Sequence, residues 1–168
     1  VQTCALPIYG SVRGAVMGMA ARAPTSAELD RMKGLVAGAM RDGAFGLSTG
    51  LYYPPGSYSA TDEVVALAQV AHAAGGYYDS HIRDESSYTI GLLGAIDEAI
   101  SIGKASGIPI HISHIKALGV DIWGKSDEVI ARILAARAAG VDVTADQYPY
   151  TASGTSVEAA LVPRWAEA

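Results

Sequence analysis

From residue 26 onward, amphipathic stretches alternate with short apolar runs. Residues 26–42 carry Leu29, Met32, Leu35, Val36 and Ala39 at spacings of three and four, which predicts a helix with one apolar face. The stretch opens with "SAEL", making Ser26 the expected N-cap, and the strand-like "AFGLSTG" follows at 44–50. A second helix is predicted from Thr61-Asp62-Glu63, through Val64, Leu67, Ala68 and Ala71, to a stop at Gly75-Gly76. The run 77–83 then reads as a strand. A third helix runs from about Thr89, with Leu92, Leu93, Ile96, Ala99 and Ile100 on one face, to Gly107, and leads into "PIHISHIK" at 109–116. A fourth starts at Ser126-Asp127-Glu128, turns Val129, Ile130, Ile133 and Leu134 inward, stops at Gly140 and feeds a strand at 141–150.

Gly43, Gly76, Gly107 and Gly140 each close a helix just before a strand, at spacings of 33, 31 and 33 residues. Helices alternating with strands require crossover connections, so the fold class is α/β with a parallel sheet. A helical solenoid of this period would need a second amphipathic helix where the strands sit. No glycine-rich GxGxxG follows any strand, which argues against a dinucleotide-binding, doubly wound sheet. Polar residues gather instead at successive strand ends: Ser48 and Thr49, His81 and Arg83, His114 and Lys116, Asp146 and Tyr148. That distribution suits a TIM-like (β/α)8 barrel, whose active site is built from the tops of different strands. About four β/α units are present, part of such a barrel.

The chain has 168 residues, begins with Val and is read as an internal fragment. Residues 1–8, "VQTCALPI", follow neither helical nor strand period and read as a non-native, adapter-like segment, leaving 9–168 as the partial barrel domain. Half the residues are apolar and 17% are charged, and no apolar run approaches the length needed to span a bilayer. The composition is that of a soluble enzyme. A net charge of -5 without a basic stripe excludes nucleic acid and anionic membranes as expected partners. The single cysteine, Cys4, excludes an intrachain disulfide, and with no signal-peptide pattern the expected location is cytoplasmic. Nothing in the pattern fixes an oligomeric state.

His81 and His114 occupy equivalent positions on neighbouring strands, where two imidazoles can converge above a parallel sheet, and imidazole is the commonest metal donor. Matched placement favours metal ligation over two unrelated rim residues, although a catalytic zinc needs a third protein ligand. His111 and His114 differ by three, so alternation sends them to opposite faces. His114 then shares a face with Ile112 and Lys116 and is the better ligand; His111 is scaffold. Lys116 stands beside the site, to bind a substrate carboxylate, to become carbamylated, or to lie solvated on the rim. Arg83 bears the same relation to His81. Asp84 and Glu85 read as solvated or salt-bridged loop residues, Asp146 as a packing hydrogen bond, and the "LYYPPGSY" tyrosines as pocket lining or loop packing.

Five pieces in order, "RAPTSAELDRM", "GAFGLSTGLYYPPGSY", "GGYYDSHIRDE", "ISHIKALG" and "DVTADQYPYTASGTS", resemble the N-acyl-D-amino-acid deacylases (D-aminoacylases) of the amidohydrolase superfamily. The resemblance implies a zinc-dependent (β/α)8 barrel that hydrolyses N-acyl-D-amino acids to a carboxylate and a free D-amino acid. It makes His81 and His114 zinc ligands, and Lys116, Tyr53 and Tyr148 substrate-contacting groups. The family's His-x-His motif, its bridging cysteine, its late catalytic aspartate and its substrate-carboxylate arginine have no counterpart here, so no catalytic base is assigned and the chain alone is expected to be inactive. Two other readings are a cyclic amidohydrolase of the hydantoinase or dihydroorotase kind, with a carbamylated Lys116, and a non-catalytic barrel segment that binds a ligand or partner.

Overall fold

The computed structural model describes residues 6–163 and Ala166. Cys4, with the other residues of 1–5, lies outside the described residues. Four strands, β1 (Gly46–Gly50), β2 (Tyr77–His81), β3 (Ile110–Ile115) and β4 (Val143–Gln147), form one sheet in the order β1-β2-β3-β4. Every neighbouring pair is parallel. The strands alternate with helices α1 (Tyr9–Met17), α2 (Ser26–Arg41), α3 (Thr61–Ala73), α4 (Gly91–Ser106), α5 (Ser126–Ala138) and α6 (Val157–Leu161). A doubly wound sheet reverses its strand order at a switch point; sequential order throughout is instead the arc of a TIM-like barrel. Ile8 extends the arc, pairing in parallel with Ser48, whose N–H donates to the Pro7 carbonyl at 3.1 Å.

Alternation sorts the sheet into two faces. Leu47, Tyr78, Ile110, Ile112 and Val143 are buried under the helices, where they meet Met32, Val36, Val64, Leu67, Ala71, Ile96, Ala99 and Ile102. The opposite face carries Ser48, Asp79, His111, Ser113, Thr144 and Asp146 and stays open. Thr49, expected at the strand-end cluster, belongs to the helix face, where its hydroxyl bonds the Tyr78 hydroxyl at 2.7 Å. Buried, the Tyr78 phenol is pushed up to about 12, with hydrogen bonds to Ser80 and Thr49 working against the shift.

Several boundaries differ from the sequence reading for local reasons. The cap of α2 is Thr25, not Ser26: its side chain accepts from Glu28 N–H, and the Glu28 carboxylate accepts from Thr25 N–H at 2.7 Å, closing a capping box one residue earlier. Helix α4 starts at Gly91, because Thr89 N–H is engaged by the Asp84 carboxylate. Gly75, at φ 78, makes the turn assigned to Gly76; a Cβ on Gly76 would lie 2.7 Å from Met40. On α5, Val129 and Ala136 are buried, but Ile130 and Leu134 are 53% and 59% exposed, since only one flank of that helix packs on its neighbours. Leu35, expected inside α2, is likewise half exposed.

Helix α1 was not read from the sequence: its buried face mixes Tyr9 and Val12 with the charged Arg13. Tyr9 and Arg13 are fully buried, with the Tyr9 hydroxyl donating to Glu63 and Arg13 Nε 3.0 Å from the same carboxylate. Arg13 also donates to the carbonyls of Ala20 and Arg22, so one guanidinium fastens α1 to α3 and to the loop that leads from α1 into α2. Among the described residues, no helix is long and apolar enough to cross a membrane.

Candidate metal and substrate site at the strand ends

The C-terminal ends of β2 and β3 meet at two histidines. His81, the last residue of β2, points to the open face with Asp79 by plain alternation. His114 reaches it differently. Alternation from Ile112, which is buried under the helices, would send His114 to the helix side. Instead the β3–β4 register slips between Ile112 and Ile115, and His114 takes a left-handed backbone, φ 43, the only such non-glycine among the described residues. The bulge turns the ring outward, bringing His114 Nε2 to 3.0 Å from His81 Nδ1. The two expected ligands therefore meet, but the alternation argument that paired His114 with Ile112 and Lys116 is corrected by the bulge.

His111 is corrected with it. It lies on the open face, where Nδ1 bonds the Thr144 hydroxyl at 2.8 Å and Nε2 stands 3.1 Å from an Asp146 carboxylate oxygen. The other Asp146 oxygen accepts the His114 backbone N–H. Asp146 is therefore tied to the bulge itself. His111, followed by the His114 N–H, holds its carboxyl below the ordinary carboxylate range, with slight burial opposing.

Glu85 was missed as a site residue. Its side chain is 4% exposed, and one carboxylate oxygen lies 2.5 Å from Lys116 Nζ and 3.3 Å from His114 Nδ1. Lys116 Nζ is also 2.8 Å from His114 Nδ1 and 5.0 Å above the Tyr148 ring. The sequence offered only "DE" at the start of a loop, with nothing to show that the loop folds back. Asp84 makes it do so. Fully buried, its carboxylate accepts from the N–H groups of Ser86, Thr89 and Gly91 and from the Thr89 hydroxyl. Burial pushes this carboxyl up, but those donors outweigh it and hold it below the ordinary value. Arg83, expected to flank His81 as Lys116 flanks His114, turns away: it forms an ion pair with Glu98 on α4 at 2.8 Å and donates to the carbonyls of Ser57 and Ser59.

Aromatic rings edge the cluster. Tyr53 lies 5.2 Å from His81 between ring centres, with its hydroxyl 3.0 Å from that of Thr155, and Tyr52 stands beside it at 5.1 Å. Tyr148 flanks His114 at 6.4 Å, followed by Tyr150. Lys116, Tyr53 and Tyr148 thus surround the paired histidines.

The donor set fits a metal ion. His81, Glu85 and His114 each offer a ligand atom, all within 4.8 Å of one another. Burial, followed by the charges near His114 and Lys116, pushes the His81 imidazole down to about 3, so it is neutral with a free lone pair. Its Nε2 is buried without a hydrogen-bond partner. A buried polar atom left unsatisfied costs about 1–3 kcal/mol, which coordination would remove.

Comparison with known proteins agrees with this geometry. No protein-family model matches the chain. It is 39% identical over 155 residues to an N-acyl-D-glutamate deacylase of Alcaligenes xylosoxydans xylosoxydans, covering 92% of this chain and 31% of that protein. The crystal structure of a D-aminoacylase, described as defining a novel subset of amidohydrolases, superposes with a TM-score of 0.80 at 37% identity, over 86% of this chain and 30% of that one. An N-acyl-D-glutamate deacylase from Bordetella bronchiseptica, complexed with zinc and a phosphonate that mimics the reaction's tetrahedral intermediate, superposes at 0.78 with 37% identity, over 84% and 29%. This chain spans about three-tenths of the length of these relatives. Over the residues it shares with them, the chain is similar in sequence and in fold to D-aminoacylases and N-acyl-D-glutamate deacylases.

Proposed function

We propose that this chain supplies one wall of a zinc site that hydrolyses the amide of N-acyl-D-amino acids. The observation that carries the reading is the meeting of His81 and His114 at the mouth of a barrel arc, with ligand atoms of His81, His114 and Glu85 all within 4.8 Å of one another. His81 and His114 would hold the ion, with the Glu85 carboxylate within reach as a third donor. Zinc there would supply Lewis-acid polarisation of an amide carbonyl.

The surrounding side chains have the chemistry to bind and orient substrate. Lys116 presents the one ammonium at the cluster, held by Glu85 and backed by the Tyr148 ring, and is suited to a substrate carboxylate. Tyr53 and Tyr148 stand on opposite sides of the histidine pair and would close the acyl and side-chain ends against water. The aspartate base that the family resemblance calls for has no counterpart in the sequence. The isolated chain should therefore take up zinc without turning over substrate.

A chimera tests the reading. The matched stretch of the Alcaligenes N-acyl-D-glutamate deacylase is replaced by this chain's residues, and hydrolysis of an N-acyl-D-glutamate is followed beside its L-isomer. The D-substrate should be cleaved, with a loss of roughly 100-fold or more in the His81→Ala chimera. A folded, zinc-loaded chimera without D-selective hydrolysis overturns the proposal.

A further inference from the structure

We propose that Asp146 is a positioning residue that clamps the β3 bulge and thereby aims His114 at His81. The proposal rests on the metal-site reading above for its purpose, and on the hydrogen-bond pattern alone for its mechanism.

His114 occupies a left-handed backbone conformation, φ 43, that side-chain-bearing residues adopt only at a cost, so something must hold it there. The ladder does not. Regular β3–β4 pairing lapses between Ile112 and Ile115, and it is within this gap that the Asp146 carboxylate accepts the His114 N–H. A carboxylate only accepts, so its second oxygen accepts a hydrogen bond from His111 Nε2–H at 3.1 Å. His111 Nδ1 in turn lies 2.8 Å from the Thr144 hydroxyl. The Asp146–His114 contact thus bridges β4 to β3 inside the gap, while His111 ties the same carboxylate to the stretch where His111 and Thr144 are still paired. A packing role does not account for this, because the Asp146 side chain is 61% exposed. The carboxylate touches no ligand ring; it acts through the backbone of the residue that carries one.

Two measurements on the 168-residue chain test the clamp: hydrogen exchange at the His114 amide without metal, and zinc affinity by competition with a chromogenic chelator. In Asp146→Ala, the His114 amide should exchange roughly tenfold faster or more, with the Ile110 and Ile112 amides unchanged. Zinc affinity should fall about 10–100-fold, the usual loss when a group orienting a metal ligand is removed. Asp146→Asn keeps an oxygen for the His114 N–H and should return affinity to within roughly threefold of the parent. An unchanged His114 amide in folded Asp146→Ala, or an Asn variant as weak as the Ala variant, overturns the clamp. If Asp146→Ala does not fold, the Asn variant decides, its His114 amide staying protected or the proposal failing. Should the parent chain bind no zinc, the metal reading fails while the exchange comparison still decides the clamp.

Discussion

At the end of β2 the chain runs into its histidine by unbroken alternation, Asp79 and His81 on the open face and Tyr78 and Ser80 beneath it. At the end of β3 the same destination is reached only by breaking the strand: a register slip, a left-handed residue and a carboxylate reaching over from β4. The supports differ as well. The loop after His81 is stiffened from within, by the buried Asp84 gathering three backbone N–H groups, whereas the bulge at His114 is held from outside, by an exposed side chain on the neighbouring strand. A regular strand end needs its loop organised; an irregular one needs its backbone fixed. The two histidines can therefore serve one site while responding to mutation in different ways.

The largest effect on stability is expected on the β2 side. Asp84→Ala leaves one buried and three part-buried donors without their acceptor and should destabilise the fold by about 2–4 kcal/mol, read by urea denaturation. The pH dependence follows from the lowered carboxyl. A group whose folded pKa lies below its unfolded value adds stability above the unfolded value, about 3.9 for Asp, and loses it as pH falls towards the folded one. Parent and Asp84→Asn should differ most at neutral pH and converge as the pH falls through the lowered folded value. A gap that stays constant through that range would mean that ionised Asp84 does not organise the loop.

Zinc affinity sharpens the contrast next. His81→Ala and His114→Ala should each weaken binding roughly 100-fold, since about 10–16 kcal/mol is shared among the ligands of a structural zinc. Combining them with Asp146→Ala separates the two strand ends. Added to His114→Ala, the Asp146 change should cost nothing more, because the residue it aims is gone; added to His81→Ala, it should cost a further loss. Equal additivity in both combinations would show that Asp146 does not act through His114.

How far the sequence could be read follows the same division. Where local rules agree, as in α3 with Val64, Leu67, Ala68 and Ala71 all fully buried, periodicity located both the element and its inner face. The glycine-punctuated alternation of helices and strands likewise implied the parallel arc. Alternation failed at His114 because a bulge is a tertiary event, stabilised by a side chain 32 residues away on β4. Glu85 was read as an ordinary loop acid because its burial depends on the turn that Asp84 builds. Arg83 mimicked Lys116 in spacing, yet its partner is Glu98 on the helix layer, which no strand pattern records. Helix α1 escaped notice since a buried Arg13 with a Glu63 partner reads as a surface charge until both are placed. In each case the deciding contact is polar, local at the Asp84 turn and long-range at the others, whereas periodicity reports local apolar order.

The smallest effect is the most direct probe of the backbone difference, and it compares glycine with alanine at each histidine. In a regular strand glycine is less stable than alanine by roughly 0.5–1 kcal/mol, through the entropy of the unfolded chain, and His81 sits in such a strand. At a left-handed residue alanine carries a steric cost of about 1–2 kcal/mol that glycine avoids, and His114 has φ 43. The order should therefore reverse. His81→Gly is expected below His81→Ala, and His114→Gly above His114→Ala by about 0.5–1 kcal/mol after the entropy is subtracted. Comparing glycine with alanine at one site cancels most of the lost ring contacts, so the sign of each difference reports the backbone. The four variants need only matched denaturation curves at neutral pH. If alanine is the more stable at both positions, the end of β3 is an ordinary strand in solution and His114 reaches His81 by some route other than the bulge.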